Sequence, residues 1–269
     1  MLNATRRIAG DLAHATAFLT RLPVPAILFA GTPLDFARQG WAFPVVGALV
    51  GLVAGLVASL ALFATGNAPI AAVTAVAASV IVTGALHEDG LADVADGFWG
   101  GHEPARRLAI MRDSAVGTYG VAALVVAVAL KVTAIVPLLA LSPGAFCLVL
   151  ATAGALGRHE LLTHWLVLPP APRPDGNGKP SLAARFGRPG RDQMALAFAL
   201  TLALVATLLL AVPAVTVLPA LVLAALATGT VTLVSLRKIG GHTGDTLGAT
   251  AVLAELAFLS GALAPTSWP

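Results

Sequence analysis

Charge is scarce in this chain: Asp, Glu, Lys and Arg make up 11% of its 269 residues, while 58% are hydrophobic. With a mean hydropathy of +0.89, that balance excludes an ordinary water-soluble domain and makes the bilayer the natural solvent. Cysteine is nearly missing as well. Cys147 stands alone, which excludes an intrachain disulfide and a thiolate-based metal site and leaves redox chemistry without support. Polar–apolar alternation is absent, so the Ala/Leu/Val runs read as helices and not as strands of a membrane barrel. The first forty residues lack an uninterrupted apolar core, because Arg6, Arg7, Asp11, His14 and Arg21 break it. No removable signal segment is expected there.

What is present is a series of apolar stretches, each close to the roughly 20 residues that cross a membrane as a helix. They cover 44–63, 69–86, 118–140, 144–166, 193–212, 215–234 and 246–264. The expected fold is all-α: a polytopic integral membrane bundle of about seven transmembrane helices, a single domain over 1–269 without internal repeat. Within it, 1–40 is expected to lie at the inner surface as an amphipathic segment, with Phe18, Leu19 and Leu22 on its oily side and Pro23 and Pro25 ending any helix. Gly47, Gly51 and Gly55 recur every fourth residue along the first span and present a smooth face, either for packing within the chain or for contact with a second copy. Trp41, Trp165 and Trp268 fall near span ends, where indoles anchor at the interface.

The formal charge of +3 and pI near 9.6 do not call for nucleic acid, because basic residues mark cytoplasmic loops. The connections 64–68 and 141–143, the turn at Pro213 and the tail 265–269 carry no charge. Arg6, Arg7, Arg21 and Arg38 precede the first span; Arg106, Arg107 and Arg112 follow the second; Arg173, Lys179, Arg185, Arg188 and Arg191 follow the fourth; Arg237 and Lys238 follow the sixth. The alternation places the N-terminus in the cytoplasm and the C-terminus in the periplasm.

Of thirteen acidic residues, Glu88, Asp89, Asp93, Asp96, Glu103 and Asp113 fall within one stretch and none on the outer side. The centre is HEDGLADVADGFWGG, His87 to Gly101, in a cytoplasmic segment spanning 87–117. On a continuous helix Asp89, Asp93 and Asp96 share one face. Three like charges there repel, and a divalent cation offsets the repulsion. Carboxylates without thiolates favour Mg²⁺ or Mn²⁺, and Mg²⁺ is commonly shared between a few carboxylates and substrate phosphates. Phosphate chemistry is thus the leading class, against the plain alternative of a solvated acidic loop. Asp113 and Ser114 either cap the following helix or, for Asp113, stand near the metal. A second polar stretch, IGGHTGDTLGAT, lies in the Gly-rich segment 237–250. Thr243 and Asp245 sit at a helix start whose N–H groups suit an anion, and Asp245 is either cap or metal ligand. Lys131, Arg158, Glu160 and Glu255 fall inside spans; Arg158 and Glu255 lie at matching depth and form either a structural pair or part of a working site. His159 and His164 read as packing or polar lining in preference to metal ligands. The basic loop 169–192 is either a topology signal or a cover over anionic substrate.

GALHEDGLADVADGFWGG followed by RRLAIMRDSAVGTYG, with FLTRLPVP (Phe18–Pro25) and GGHTGDTLGA (Gly240–Ala249), resembles the adenosylcobinamide-GDP ribazoletransferase family, also called cobalamin synthase. The resemblance implies a multi-pass enzyme of the bacterial inner membrane, its active site facing the cytoplasm, that joins adenosylcobinamide-GDP to α-ribazole or its 5′-phosphate with release of GMP. It implies Mg²⁺ as cofactor, held by Asp89, Asp93, Asp96 and Asp245, with Asp113 as a further catalytic or completing group. His87 or Glu88 is the implied base; Arg21, Arg112 and Arg158 are implied phosphate clamps, and Lys179, Thr243 and Gly244 are implied substrate contacts. The expected partners are these two substrates and the lipid bilayer, with no nucleic acid and with a homo-oligomer left open. Three other readings compete. A CDP-alcohol phosphotransferase shares Asp93-x-x-Asp96-Gly97 but not the Ala-Arg pair that follows; a prenyltransferase needs a second Asp-rich motif; a transporter places its charges near the midplane.

Overall fold

The apolar runs become helices throughout the computed structural model, which describes residues 2–172 and 186–262. The helices are α1 (Leu2–Leu19), α2 (Phe36–Gln39), α3 (Phe43–Thr65), α4 (Ala68–Thr83), α5 (Leu86–Gly100), α6 (Pro104–Ile110), α7 (Thr118–Leu138), α8 (Pro143–Val167), α9 (Arg191–Ala211), α10 (Ala214–Ile239) and α11 (Gly244–Gly261). Among the described residues there is no strand, only an isolated bridge between Pro170 and His242. The all-α expectation therefore holds.

Length and apolar content alone do not reach the expected seven spans. Among the described residues, five helices are long and apolar enough to cross a membrane, or six when the pair α4–α5 is taken as one bent span. The last helix is not among them, because Asp245, Thr246, Thr250 and Glu255 dilute its apolar content. The expected span 69–86 also stops early. Gly84 and Ala85 both adopt left-handed backbone, φ 63° and 58°, and α5 leaves at 92° to α4. Glycine suits position 84 because its positive φ strains any other residue, and a Cβ there would also have to displace the Arg21 side chain. Ala85 is the only non-glycine with positive φ among the described residues, a conformation costing about 1–2 kcal/mol.

Helix α8 forms the centre of the bundle: 83% of its apolar window is buried inside the protein, against 22% for α7 and α9. Glycines let α3 close on it. A Cβ at Gly47 would collide with the Gly154 carbonyl, one at Gly51 with that of Leu150, and one at Gly55 would lie 3.0 Å from Cys147 Cα. In lipid, where apolar burial adds little drive, such close backbone approach is the main source of helix attraction. The small-residue face thus packs within the chain. At the opposite end α1 terminates at Leu19 ahead of Pro23 and Pro25, and Asp11 anchors it through Arg38 at 2.7 Å and the Trp41 indole N–H at 3.2 Å.

Candidate active site at the mouth of the bundle

Two glycines bring the acidic helix against the last one. A Cβ at Gly90 would sit 2.7 Å from the Asp245 carbonyl oxygen, and one at Gly248 would sit 3.3 Å from the His87 backbone. This contact sets the carboxylates of Asp89, Asp93 and Asp245 at one mouth. The broken helix keeps the expected stripe, since α5 resumes at Leu86 before the first carboxylate. Asp93 lies on α5 beyond the corner that ends α4, and its pKa is pushed up to about 7, first by burial and then by the charges of Asp245, Asp89 and Asp96. Asp245 stands ahead of the apolar stretch of α11. Its pKa rises to about 6 through burial, with Asp89 adding to the rise and the Thr243 hydrogen bond and Arg112 opposing it.

The four expected metal ligands do not form one cluster. Among the described residues no three His, Cys, Asp or Glu side chains converge closely enough to hold an ion. Asp96 is 7% exposed and turned toward α7, where its two oxygens accept the N–H groups of Gly117 at 2.7 Å and Gly120 at 2.9 Å. It caps α7 from across the chain. Neither Asp113 nor Ser114 does so, because α7 starts at Thr118; Asp113 is exposed and accepts the N–H of Ala115 at 3.1 Å.

Below the mouth lies a buried chain of charge. Glu255 pairs with Lys131 at 2.6 Å and with Arg158 at 3.0 Å. Arg158 also donates to Nδ1 of His87 at 3.5 Å. Arg158 is thus enclosed by protein groups and does not line the mouth. His87 is 3% exposed, with its Nε2 unpartnered, and one carboxylate oxygen of Glu88 is likewise buried without a partner. His164 is a packing residue: its ring nitrogens bond Thr232 at 2.9 Å and Thr246 at 3.1 Å. It therefore ties α8 and α10 to the start of α11. That start is capped by Thr243, whose hydroxyl accepts the Thr246 N–H at 3.2 Å and donates to Asp245 at 3.2 Å. Asp245 is consequently not the cap and keeps its second oxygen free of that network.

A cavity of about 240 Å³ opens beside these carboxylates, lined by Asp89, Asp245, His87, Gly244 and His242 and walled by aromatic side chains. His242 is 2% exposed with Nδ1 unpartnered. Burial, then Arg188, holds its pKa down to about 4. Its backbone is fixed by the bonds His242 N–H to Pro169 oxygen, 2.8 Å, and Ala171 N–H to His242 oxygen, 2.9 Å. Trp165 is not an interfacial anchor: it is 2% exposed, lines the cavity and donates its indole N–H to Gly187 at 3.0 Å. The sequence reading missed His242 and the aromatic wall. His242 was visible inside GGHTGD, but Phe18, Phe36, Phe43 and Phe186 carry no local signal and meet only in the fold.

The remaining expected residues are dispersed. Arg21 packs at the α4–α5 corner with its backbone N–H on Val82 at 2.7 Å. Arg112 is exposed and acts on Asp245 through its charge. Lys179 falls outside the described residues.

Comparison with known proteins gives this mouth its chemical context. Residues 11–263 match the family model described as cobalamin-5-phosphate synthase. The chain belongs to that family. It is accordingly an enzyme of cobalamin biosynthesis, a transferase. Similar curated proteins named adenosylcobinamide-GDP ribazoletransferase occur in Azorhizobium caulinodans, 46% identical over 96% of this chain and 96% of the relative, and in Rhizobium meliloti, 42% identical over 96% and 97%. A third, from Sinorhizobium medicae, is 44% identical over 96% and 97%. No solved structure matches the chain. The match over nearly the whole chain leaves the CDP-alcohol phosphotransferase, prenyltransferase and transporter readings without support.

Proposed function

We propose that the protein joins adenosylcobinamide-GDP to α-ribazole, or to its 5′-phosphate. A ribose hydroxyl oxygen bonds to the phosphorus attached to the cobinamide as its proton passes to solvent water or a carboxylate at the mouth, the anhydride bond to the guanylate breaks, and GMP leaves with the bonding electrons. Adenosylcobalamin or its 5′-phosphate is the product. The observation that carries this reading is the meeting of α5 and α11 through Gly90 and Gly248, which sets Asp89 and Asp245 in the lining of one cavity, with Asp93 near enough to feel both charges.

The chemistry of the donor set, hard carboxylates without thiolates, suits magnesium although no three of them converge on one point among the described residues. Asp89 raises the proton affinity of both Asp93 and Asp245, so a cation near them is favoured, and Mg²⁺ takes only one or two carboxylates when substrate phosphates complete its shell. Asp89, Asp93 and Asp245 are the residues that would hold it, with Asp96 fixing the position of α5 against α7. When bound, the ion would neutralise charge on the transferring and leaving phosphates. Arg112 acts as the protein's own cation at the mouth, and Thr243 and Gly244 open the start of α11 toward the same anions.

The reading carries a topology. Seven spans, with α11 as the last, leave Arg106, Arg107, Arg188 and Arg237 on one side, which by the positive-inside rule is the cytoplasm. The enzyme then sits in the inner membrane with its mouth facing the cytoplasm, its N-terminus inside and its C-terminus in the periplasm. The test is direct: purified protein with Mg²⁺, adenosylcobinamide-GDP and α-ribazole releases GMP, and Asp93→Asn does not. Absence of both GMP and a joined corrinoid product from the unaltered protein would sink the proposal.

A further inference from the structure

Two side chains that line the cavity beside the carboxylates, His87 and His242, each carry a buried ring nitrogen without a partner, Nε2 and Nδ1 respectively. Buried polar atoms are normally bonded, so orphans on side chains that line a cavity point to a ligand that completes them. The protein assigns the role of one of them. A guanidinium has only donors, so the Arg158 contact at 3.5 Å makes Nδ1 of His87 an acceptor and leaves the ring proton on Nε2. His87 therefore offers the cavity a hydrogen-bond donor, not a base. Glu255, paired with Arg158, holds that arrangement from below.

The walls are apolar and flat. Phe18 and Phe36 stand with ring centroids 4.3 Å apart, and Phe186 meets Phe36 edge-on at 4.6 Å. Trp165 has already spent its N–H on Gly187, so it offers only ring surface.

We infer that this cavity seats the base of the nucleoside substrate, a benzimidazole-type bicycle held between aromatic side chains, with its one unsubstituted ring nitrogen accepting from Nε2 of His87. The inference rests on the proposed reaction and names where one of its substrates binds. Size excludes the corrin macrocycle, which is far larger than about 240 Å³. Guanine, the other planar base in the reaction, has an edge of several donors and acceptors. Apart from the carboxylates at the mouth, two histidine nitrogens are the only buried side-chain polar atoms without partners among the described residues that line the cavity. A benzimidazole asks for one donor and apolar surroundings, which is what the walls supply. The ribose then lies toward Asp89 and Asp245, at the phosphates.

The test uses the full-length protein in detergent, with titration calorimetry of α-ribazole alone beside steady-state kinetics. Phe186→Ala, a rim substitution, is expected to weaken α-ribazole binding about tenfold and to raise its KM similarly, with the KM for adenosylcobinamide-GDP unchanged. The indole nucleoside of the same shape, lacking the acceptor nitrogen, is expected to bind the unaltered protein at least tenfold more weakly than α-ribazole, and His87→Leu is expected to erase that difference. A KM rise for adenosylcobinamide-GDP in place of α-ribazole overturns the inference in favour of guanine. Equal binding of the two nucleosides by the unaltered protein overturns the role of His87, and no effect of Phe186→Ala on either substrate overturns the seat itself. Failure of the reaction reads differently: α-ribazole binds with these preferences but no GMP appears.

Discussion

Gly90 and Asp245 touch backbone to backbone, so that a single added methyl at Gly90 would lie 2.7 Å from the Asp245 carbonyl oxygen. The acidic helix and the last helix are held at the distance this contact allows. Gly90→Ala is expected to separate them and to reduce turnover at least a hundredfold while the protein still inserts. Gly100→Ala, whose methyl would meet only Ile110 Cδ1 at 3.6 Å, is the control and should stay within twofold. Comparable GMP release by the two variants would contradict the assignment of the contact.

Asp93 and Asp96 are expected to part company in stability. Asp96 accepts two buried amides, so Asp96→Asn, which turns an N–H₂ toward one of them, should cost about 2 kcal/mol and lower the melting temperature in detergent. Asp93 behaves in the opposite sense. Its pKa is raised to about 7, so its charged form is a cost to the fold, fully present above that pH and fading as pH falls toward the ordinary carboxylate range. In EDTA at pH 8, Asp93→Asn is expected to melt higher than the unaltered protein, with the gap narrowing toward pH 5 and turnover lost throughout.

Glu255 is the single carboxylate between Lys131 and Arg158. Removing it alone leaves two buried cations without compensation, and Glu255→Gln is expected to destabilise by about 3 kcal/mol or more. Lys131→Met in the same chain should recover part of that loss. A double-mutant cycle on thermal unfolding measures the coupling, and strict additivity would argue against the ion pair.

Magnesium removal is expected to stop GMP release, and Mg²⁺ or Mn²⁺ to restore it, whereas the secondary structure by circular dichroism should not change. The helices are joined by glycine contacts and buried ion pairs, none of which requires the ion. Loss of helicity in EDTA would assign the metal a structural part instead.

Topology is open to a labelling test because Cys147 is the only cysteine and is buried. In a Cys147→Ala background, a cysteine replacing Asn67 should react with an impermeant maleimide from the periplasm, and one replacing Arg106 only after the membrane is opened. The reverse pattern would invert the orientation.

Much of this was legible in the chain. The helical class followed from run length and composition, and the Asp89–Asp93 stripe survived because a second helix resumes immediately after the break. The break itself was hidden: Gly84 is one glycine among many, and Ala85 carries no sign that its backbone turns left-handed. Asp96 sits on the same stripe as Asp93, so spacing alone could not separate a residue facing the mouth from one facing α7. Arg158 and Glu255 were paired by depth, yet the link onward to His87 needed three helices in place. The aromatic cavity was out of reach altogether, since its walls come from α1, α2, α3 and α8 and from Phe186.

The corner at Gly84–Ala85 has a consequence for how α4 can vary. Each residue added to a helix turns whatever follows by about 100° and raises it about 1.5 Å. Because α5 leaves sideways, one insertion in α4 would swing the whole acidic helix around the bundle like the hand of a clock, away from α11. The outward positions of α4, Ile70, Val73 and Ile81, are free to drift among apolar residues; its length, between Asn67 and Gly84, acts as a gear with one working tooth.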